Sequence, residues 1–232
     1  MKEFFDNIYM DDKEDLLMKI KSDLKKDKKN FIITANPETF MYGEKNKTYG
    51  DMLLNKDNII VADGIGIIKG SKKLKKKTPN KITGIDLTYE FLKMANDLKK
   101  NVFLFGATAE VLKALKDKIN KEYPNINLVG IVNGYDCDKD TVVNNIIKTK
   151  PDFIFVALGI PKQELFINEC YKKSSKGIFM GVGGSFDVIS GNKKRAPKLF
   201  INLNLEWLYR IIKEPKRIKR FYENNIKFLF KL

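Results

Sequence analysis

Histidine is absent from the 232-residue chain. Its absence excludes a Ser-His-Asp triad, a Cys-His dyad, a zincin helix and any imidazole general base, so acid or base work falls to Asp, Glu, Lys or Tyr. Cysteine is scarce. Cys137 and Cys170 offer neither a disulfide framework nor a metal knuckle and read as ordinary thiols. Long apolar runs are missing too, since no stretch approaches the roughly 18 to 20 uninterrupted residues a membrane span requires. Met1 to Asp15 is acidic and lacks the apolar run of a signal peptide, which predicts a cytosolic protein.

Positive charge is abundant. The chain carries 44 Lys and Arg against 29 Asp and Glu, a formal net charge of +15. With 43% hydrophobic and 31% charged residues it reads as globular, long enough for one domain with a proper core plus an appendage. The boundary falls after residue 192: a core over 1–192 and a tail over 193–232. The tail holds twelve Lys and Arg against three Glu, a net +9, interleaved with Phe, Trp, Tyr, Leu and Ile. From Lys198 to Lys213 the apolar residues Phe200, Leu203, Trp207 and Ile211, with Ile201, Leu205, Leu208 and Ile212, recur at helical spacing, opposite Asn202, Glu206, Arg210 and Lys213. Pro215 interrupts. A second amphipathic stretch places Ile218, Phe221, Tyr222, Ile226, Leu229 and Leu232 on one side and Lys216, Arg217, Arg220, Lys227 and Lys231 around the other. Such a basic, aromatic-faced segment suits an anionic membrane surface or an acidic partner.

Six short apolar runs, rich in β-branched or aromatic residues, read as buried parallel strands: Phe31–Thr34, Ile59–Ala62, Val102–Phe105, Asn127–Val132, Phe153–Leu158 and Ile178–Val182. Helical patterns cover Lys13–Lys26, Asp86–Lys99, Ala109–Lys121, Lys139–Thr149 and Pro161–Lys173. Repeated βα units predict an α/β, Rossmann-like, doubly wound and mostly parallel sheet, with the basic amphipathic tail as a helical appendage. The Lys72–Lys77 run reads as a solvated loop.

In such a sheet the ligand crevice lies beyond the carboxyl ends of the strands. The segments there are small or polar, and glycines with helix N-termini after them suit a phosphorylated or nucleotide ligand. Gly64-Ile65-Gly66 with Gly70 mimics a dinucleotide fingerprint, but the third glycine is one residue too far and a nicotinamide site is not expected. Asp136-Cys137-Asp138 has the Asp-x-Asp form of a metal-binding turn, yet Asp138 is placed to cap the next helix, and capping is the expected role. Asp63 ends an apolar run and precedes a glycine that permits a tight turn. With histidine absent it is the best-positioned general base in the chain. In Leu158–Glu164 a strand feeds a helix with Pro in its first turn, which explains Gly159 and Pro161 but not Lys162-Gln163.

The segments Ile33–Glu38, Ala62–Gly66, Thr83–Leu87, Phe103–Ala107, Leu158–Glu164, Gly181–Asp187, Arg195–Pro197 and Leu205–Arg210, in this order, resemble the WecG/TagA/CpsF glycosyltransferases of bacterial cell-surface polymer synthesis. The match spans roughly 31–220. Singly these motifs are weak; eight in register are specific. The resemblance implies an inverting transferase that needs neither metal nor cofactor. Its best-known members transfer N-acetylmannosamine (ManNAc) from the UDP-sugar to undecaprenyl-diphosphate-linked N-acetylglucosamine (GlcNAc), in wall teichoic acid synthesis. Relatives use UDP-N-acetylmannosaminuronic acid or UDP-glucose.

Carried over, the resemblance makes Asp63 the catalytic base and Thr34, Asn36 and Gln163 donor-sugar contacts. Lys81 stands where the family often has Arg, which keeps the charge but loses the bidentate fork on a diphosphate. Arg210, Arg217 and Arg220 match tail arginines that enter the active site and neutralise departing UDP. Gly106, Gly183, Gly184 and Asp187 are expected to shape the nucleotide pocket. The expected partners are a UDP-sugar donor, the lipid-linked acceptor and the anionic inner face of the cell membrane, with peripheral attachment there. Self-association through apolar surface uncovered by tail displacement is a further expectation. A nucleic-acid-binding protein would account for the charge but not for the strand-end loops.

Overall fold

The computed structural model describes residues 1–232 apart from the side chain of Arg217. Its six strands are β1 (Lys29–Ala35), β2 (Ile59–Ala62), β3 (Asn101–Gly106), β4 (Asn127–Val132), β5 (Phe153–Ala157) and β6 (Gly177–Gly181). They form one sheet in the order β2-β1-β6-β5-β3-β4. Every pairing is parallel, so the sheet is wholly and not merely mostly so.

The apolar runs read as strands because both sheet faces are covered. Phe31 and Ile33 enter one core and Ile32 the other; Phe103 and Phe105 alternate with Val102 and Leu104 in the same way. The first layer includes α2 (Pro37–Lys45), α3 (Lys47–Leu54), α4 (Ile65–Lys73), α7 (Lys139–Thr149), α8 (Lys162–Lys173) and an N-terminal 3-10 turn, Lys2–Asn7. The second layer includes α1 (Lys13–Lys25), α5 (Gly84–Asp97), α6 (Ala109–Glu122) and the short α9 (Ser185–Ile189). Local chemistry sets the helix starts. Asp12, Asn36, Asn46, Thr83, Thr108 and Asp138 each accept from a backbone N–H in the first turn of the next helix.

The tail departs from its expected shape. The stretch expected to run from Lys198 to Lys213 as one helix is two, α10 (Lys198–Asn202) and α11 (Glu206–Lys213). Asn204 breaks it in a left-handed conformation at φ 59°. After Pro215 come α12 (Arg217–Phe221), a π-helical turn (Tyr222–Ile226) and α13 (Lys227–Lys231). That wider turn rotates α13 relative to α12, so the buried anchor is Phe228, outside the expected apolar stripe, while Ile218 and Tyr222 stay exposed. Phe228 stacks near Phe5 and meets Phe40 edge-on, and Leu229 and Leu232 pack on the same core.

The Lys72–Lys77 run is also more than a solvated loop. Lys72 and Lys73 form the last turn of α4, Lys73 donates to the Leu229 carbonyl, and Lys76 pairs with Asp6. The glycines of the dinucleotide-like stretch serve packing. Gly66 lies against Pro37, and Gly70 against Phe5 and Leu232. Asp138 caps α7 as expected, accepting from the Thr141 N–H at 2.9 Å and its hydroxyl at 2.7 Å.

Candidate active site

Asp63 comes directly after β2, and its N–H donates to the Ala35 carbonyl at 2.8 Å, extending the β1–β2 ladder by one bond. Gly64 then takes φ 93° and caps α4 with no side chain of its own, the turn that lets the chain leave the sheet here. The Asp63 carboxyl is partly exposed yet hemmed in by protein. Desolvation pushes its pKa up to about 6, against the pull of the Arg210 guanidinium and a hydrogen bond from the Gly84 backbone, with Glu206 and Asp86 adding upward pressure. The result is a carboxylate basic enough to accept a proton near neutral pH and still ionised there.

The α5 N-terminus lies beside it. Thr83 accepts from the Asp86 N–H and donates to its carboxylate at 2.6 Å. Burial disfavours the charge on Asp86, but the Arg195 guanidinium at 2.7 Å and Thr83 outweigh it and hold the carboxyl below its usual range. Arg195 also lies 3.6 Å from Glu206, so it links the crevice helix to α11.

Thr34, Gln163 and Gly183 converge around the end of β6. The Thr34 hydroxyl lies 3.4 Å from the Gly181 carbonyl, and a Cβ at Gly181 would strike the Gln163 amide. Gln163 is buried in the first turn of α8. Its Oε1 accepts from the N–H groups of Gly159 and Gly183, each at 3.1 Å, and its Nε2 donates to Glu164 Oε1 at 2.7 Å. Asn36 caps α2 in a capping box with Thr39. Gly183 and Gly184 form the turn into α9, where Asp187 lies half-buried. Gly106 occupies the end of β3 for a backbone reason: at φ 112° any Cβ would run into Ala157 of β5.

The tail reaches this edge at separate points. Arg210 is exposed on α11 within electrostatic reach of Asp63. Arg220 forms a bidentate pair with Glu38, at the start of α2 beside Asn36, with contacts of 2.8 to 3.2 Å. Lys81 bridges to the end of β2 and donates to Asn204 Oδ1 at 2.5 Å. The side chain of Arg217 lies outside the described residues. Sequence reasoning missed Glu38, Glu164, Arg195 and Asn204 as parts of this neighbourhood. Glu38, Glu164 and Arg195 lay in motifs already singled out, though without a role; nothing in the pattern marked Asn204.

A glycine-lined strand edge, a strand-end carboxylate with a raised pKa and nearby guanidinium groups are chemically suited to group transfer from an anionic donor. The sequence pattern of the "Glycosyl transferase WecG/TagA/CpsF family" matches residues 5–232. The chain belongs to this family. It is 44% identical over 189 residues, 82% of the chain and 73% of the relative, to the N-acetylglucosaminyldiphosphoundecaprenol N-acetyl-beta-D-mannosaminyltransferase of Bacillus subtilis (strain 168). To the protein of the same name in Staphylococcus aureus (strain MW2) it is 43% identical over 202 residues, 87% of the chain and 79% of the relative. The matched residues include the tail as well as the core. No helix among the described residues is long and apolar enough to cross a membrane.

Proposed function

We propose that the chain transfers ManNAc from UDP-ManNAc to the 4-hydroxyl of GlcNAc on undecaprenyl diphosphate, with inversion and without a metal ion. The observation that carries the reading is Asp63, a crevice carboxylate with its pKa at about 6, held between the α5 backbone and a tail arginine. Asp63 takes the proton of the acceptor hydroxyl as that oxygen attacks the anomeric carbon. The bond from that carbon to the β-phosphate oxygen breaks, and UDP leaves with the electron pair. Arg210, Arg217 and Arg220 receive the charge that develops on the leaving diphosphate, the task a divalent cation performs in other transferases. Thr34 and Asn36 orient the sugar, Lys81 meets the diphosphate, and Gly106, Gly183, Gly184 and Asp187 frame the nucleotide. Positioning and charge stabilisation supply most of the acceleration.

The acceptor diphosphate sits at headgroup level, so the enzyme must work at the inner membrane face. Leu199, Leu203, Ile212, Ile218, Tyr222 and Phe230 are exposed along the basic tail, which supports docking on anionic lipid. The proposed division falls after residue 192, between a catalytic core over 1–192 and an active-site-completing tail over 193–232.

The test is UDP release by the full chain from UDP-ManNAc, UDP-N-acetylmannosaminuronic acid or UDP-glucose, with a short-chain lipid-diphosphate GlcNAc acceptor, with and without chelator. The reading expects release with UDP-ManNAc, dependent on acceptor and indifferent to chelator. Turnover with another donor only, or its loss with chelator, would overturn donor choice or metal independence respectively.

A further inference from the structure

Glu164 is 1% exposed, beneath the crevice on the first turn of α8. Its Oε1 accepts the Gln163 amide, while its Oε2 is buried with no hydrogen-bond partner. The hydroxyl of Tyr49, fully buried on α3, faces the same carboxyl without closing a hydrogen bond. The acid that weighs on the group across the pocket is Glu38. Burial pushes the Glu164 pKa up to about 7, and the hydrogen bond from Gln163, its own backbone N–H and the nearby Tyr49 hydroxyl only partly offset this. A buried carboxyl without a compensating cation costs stability, and a glutamine or leucine would serve helix α8 as well.

The bonds on Gln163 show what this acid does. An amide has one oxygen and one nitrogen end, and here the oxygen must face two backbone donors, Gly159 after β5 and Gly183 after β6. The Glu164 oxygen that meets Gln163 accepts from its nitrogen end, so with the carboxylate ionised the flipped amide would set donor against donor at both glycines and acceptor against acceptor at Glu164. The same buried pocket reaches the other side of the crevice. Tyr49 is influenced by Thr39 as well as Glu164, and Thr39 forms the capping box of Asn36.

We propose that Glu164 is a positioning residue for donor binding: it locks the orientation of the Gln163 amide, which clamps the Gly159 and Gly183 loops together at the crevice. This rests on the proposed glycosyltransferase reading, in which those loops hold the donor, and it adds a residue that touches neither substrate.

The test compares wild type, Glu164→Leu and Glu164→Gln as full chains. Hydrogen exchange reads the Gly159 and Gly183 amides, calorimetry reads UDP affinity, and kinetics separate donor KM from kcat. Glu164→Leu removes the acceptor at little change in volume. It should lose protection at both amides and weaken UDP binding and raise donor KM by roughly tenfold, with kcat less affected. Glu164→Gln keeps an acceptor for Gln163 and should restore protection, affinity and KM. Protected amides in Glu164→Leu, or lost protection with unaltered UDP affinity and KM, would overturn the proposal. So would failure of Glu164→Gln to rescue them. If wild type itself binds no UDP, the glycosyltransferase reading fails, and the exchange data still decide whether Glu164 sets the clamp.

Discussion

The crevice edge of the sheet and the C-terminal tail, which touches it at separate points, are built by opposite means. At the crevice, polar groups are bonded to backbone: buried Gln163 to two glycines, partly exposed Asp63 to Gly84, and Thr83 to the Asp86 N–H. In the tail, apolar side chains lie exposed, and the contacts with the core are mostly ion pairs near solvent, such as Arg220–Glu38 and Lys231–Glu44. Exposed pairs are worth little each and exchange partners readily. The contrast separates two tasks. In the proposed mechanism a fixed frame suits a donor that must be held in one orientation, whereas Arg220, held by Glu38 near solvent, would be free to turn to a diphosphate. Phe228, with Leu229 and Leu232 beside it, is different: a buried aromatic that fastens the tail end to the core.

Four substitutions grade this contrast. Asp63→Asn should lower turnover by about 10² to 10⁴, the usual contribution of a general base, while UDP affinity by calorimetry is retained. Phe228→Ala should cost about 3 to 5 kcal/mol in denaturant unfolding, because it empties the pocket between Phe5 and Phe40. A loss below about 1 kcal/mol would mean the tail is not fastened there. Glu164→Gln should change stability only with pH. The folded state of the wild type holds its proton from 4.5, the ordinary value, up to about 7, so wild-type stability falls as pH rises through that window. The variant should therefore gain on wild type across it, by up to about 3 kcal/mol above pH 7, with no gain below pH 4.5. Glu38→Gln should have the smallest effect, under about 1 kcal/mol, and faster tryptic cleavage in the tail than in wild type.

The sheet was legible because both faces of its strands are covered, fully in β2, β5 and β6 and only partly in the edge strand β4, which writes short apolar runs into the chain. Helices α2 and α3 were not. Gly43 and Gly50 weaken their helical pattern, yet these glycines let the two helices touch, since a Cβ at Gly50 would meet the Gly43 carbonyl. Asp63 could be found from its place at a strand end. Glu164 could not be distinguished from a solvated helix glutamate, because its burial depends on how α3 brings Tyr49 over it. Phe228 was missed because a π-helical turn shifts the phase that periodicity assumes. Thr34, Asn36, Gln163, Gly183 and Gly184 lie at one edge of the sheet, and at Gly106 backbone crowding against Ala157 by itself demands a glycine.

The most direct test of the central claim is the pH profile of kcat/KM for transfer from UDP-ManNAc to the lipid-linked acceptor. Neither substrate's diphosphate diester titrates near neutrality, so an acidic limb reports the free enzyme. With Asp63 as base, the rate should fall tenfold per pH unit below an apparent pKa of about 6, and the limb should persist in Glu164→Gln. A profile flat from pH 5 to 8, or a limb that disappears in Glu164→Gln, would contradict the assignment.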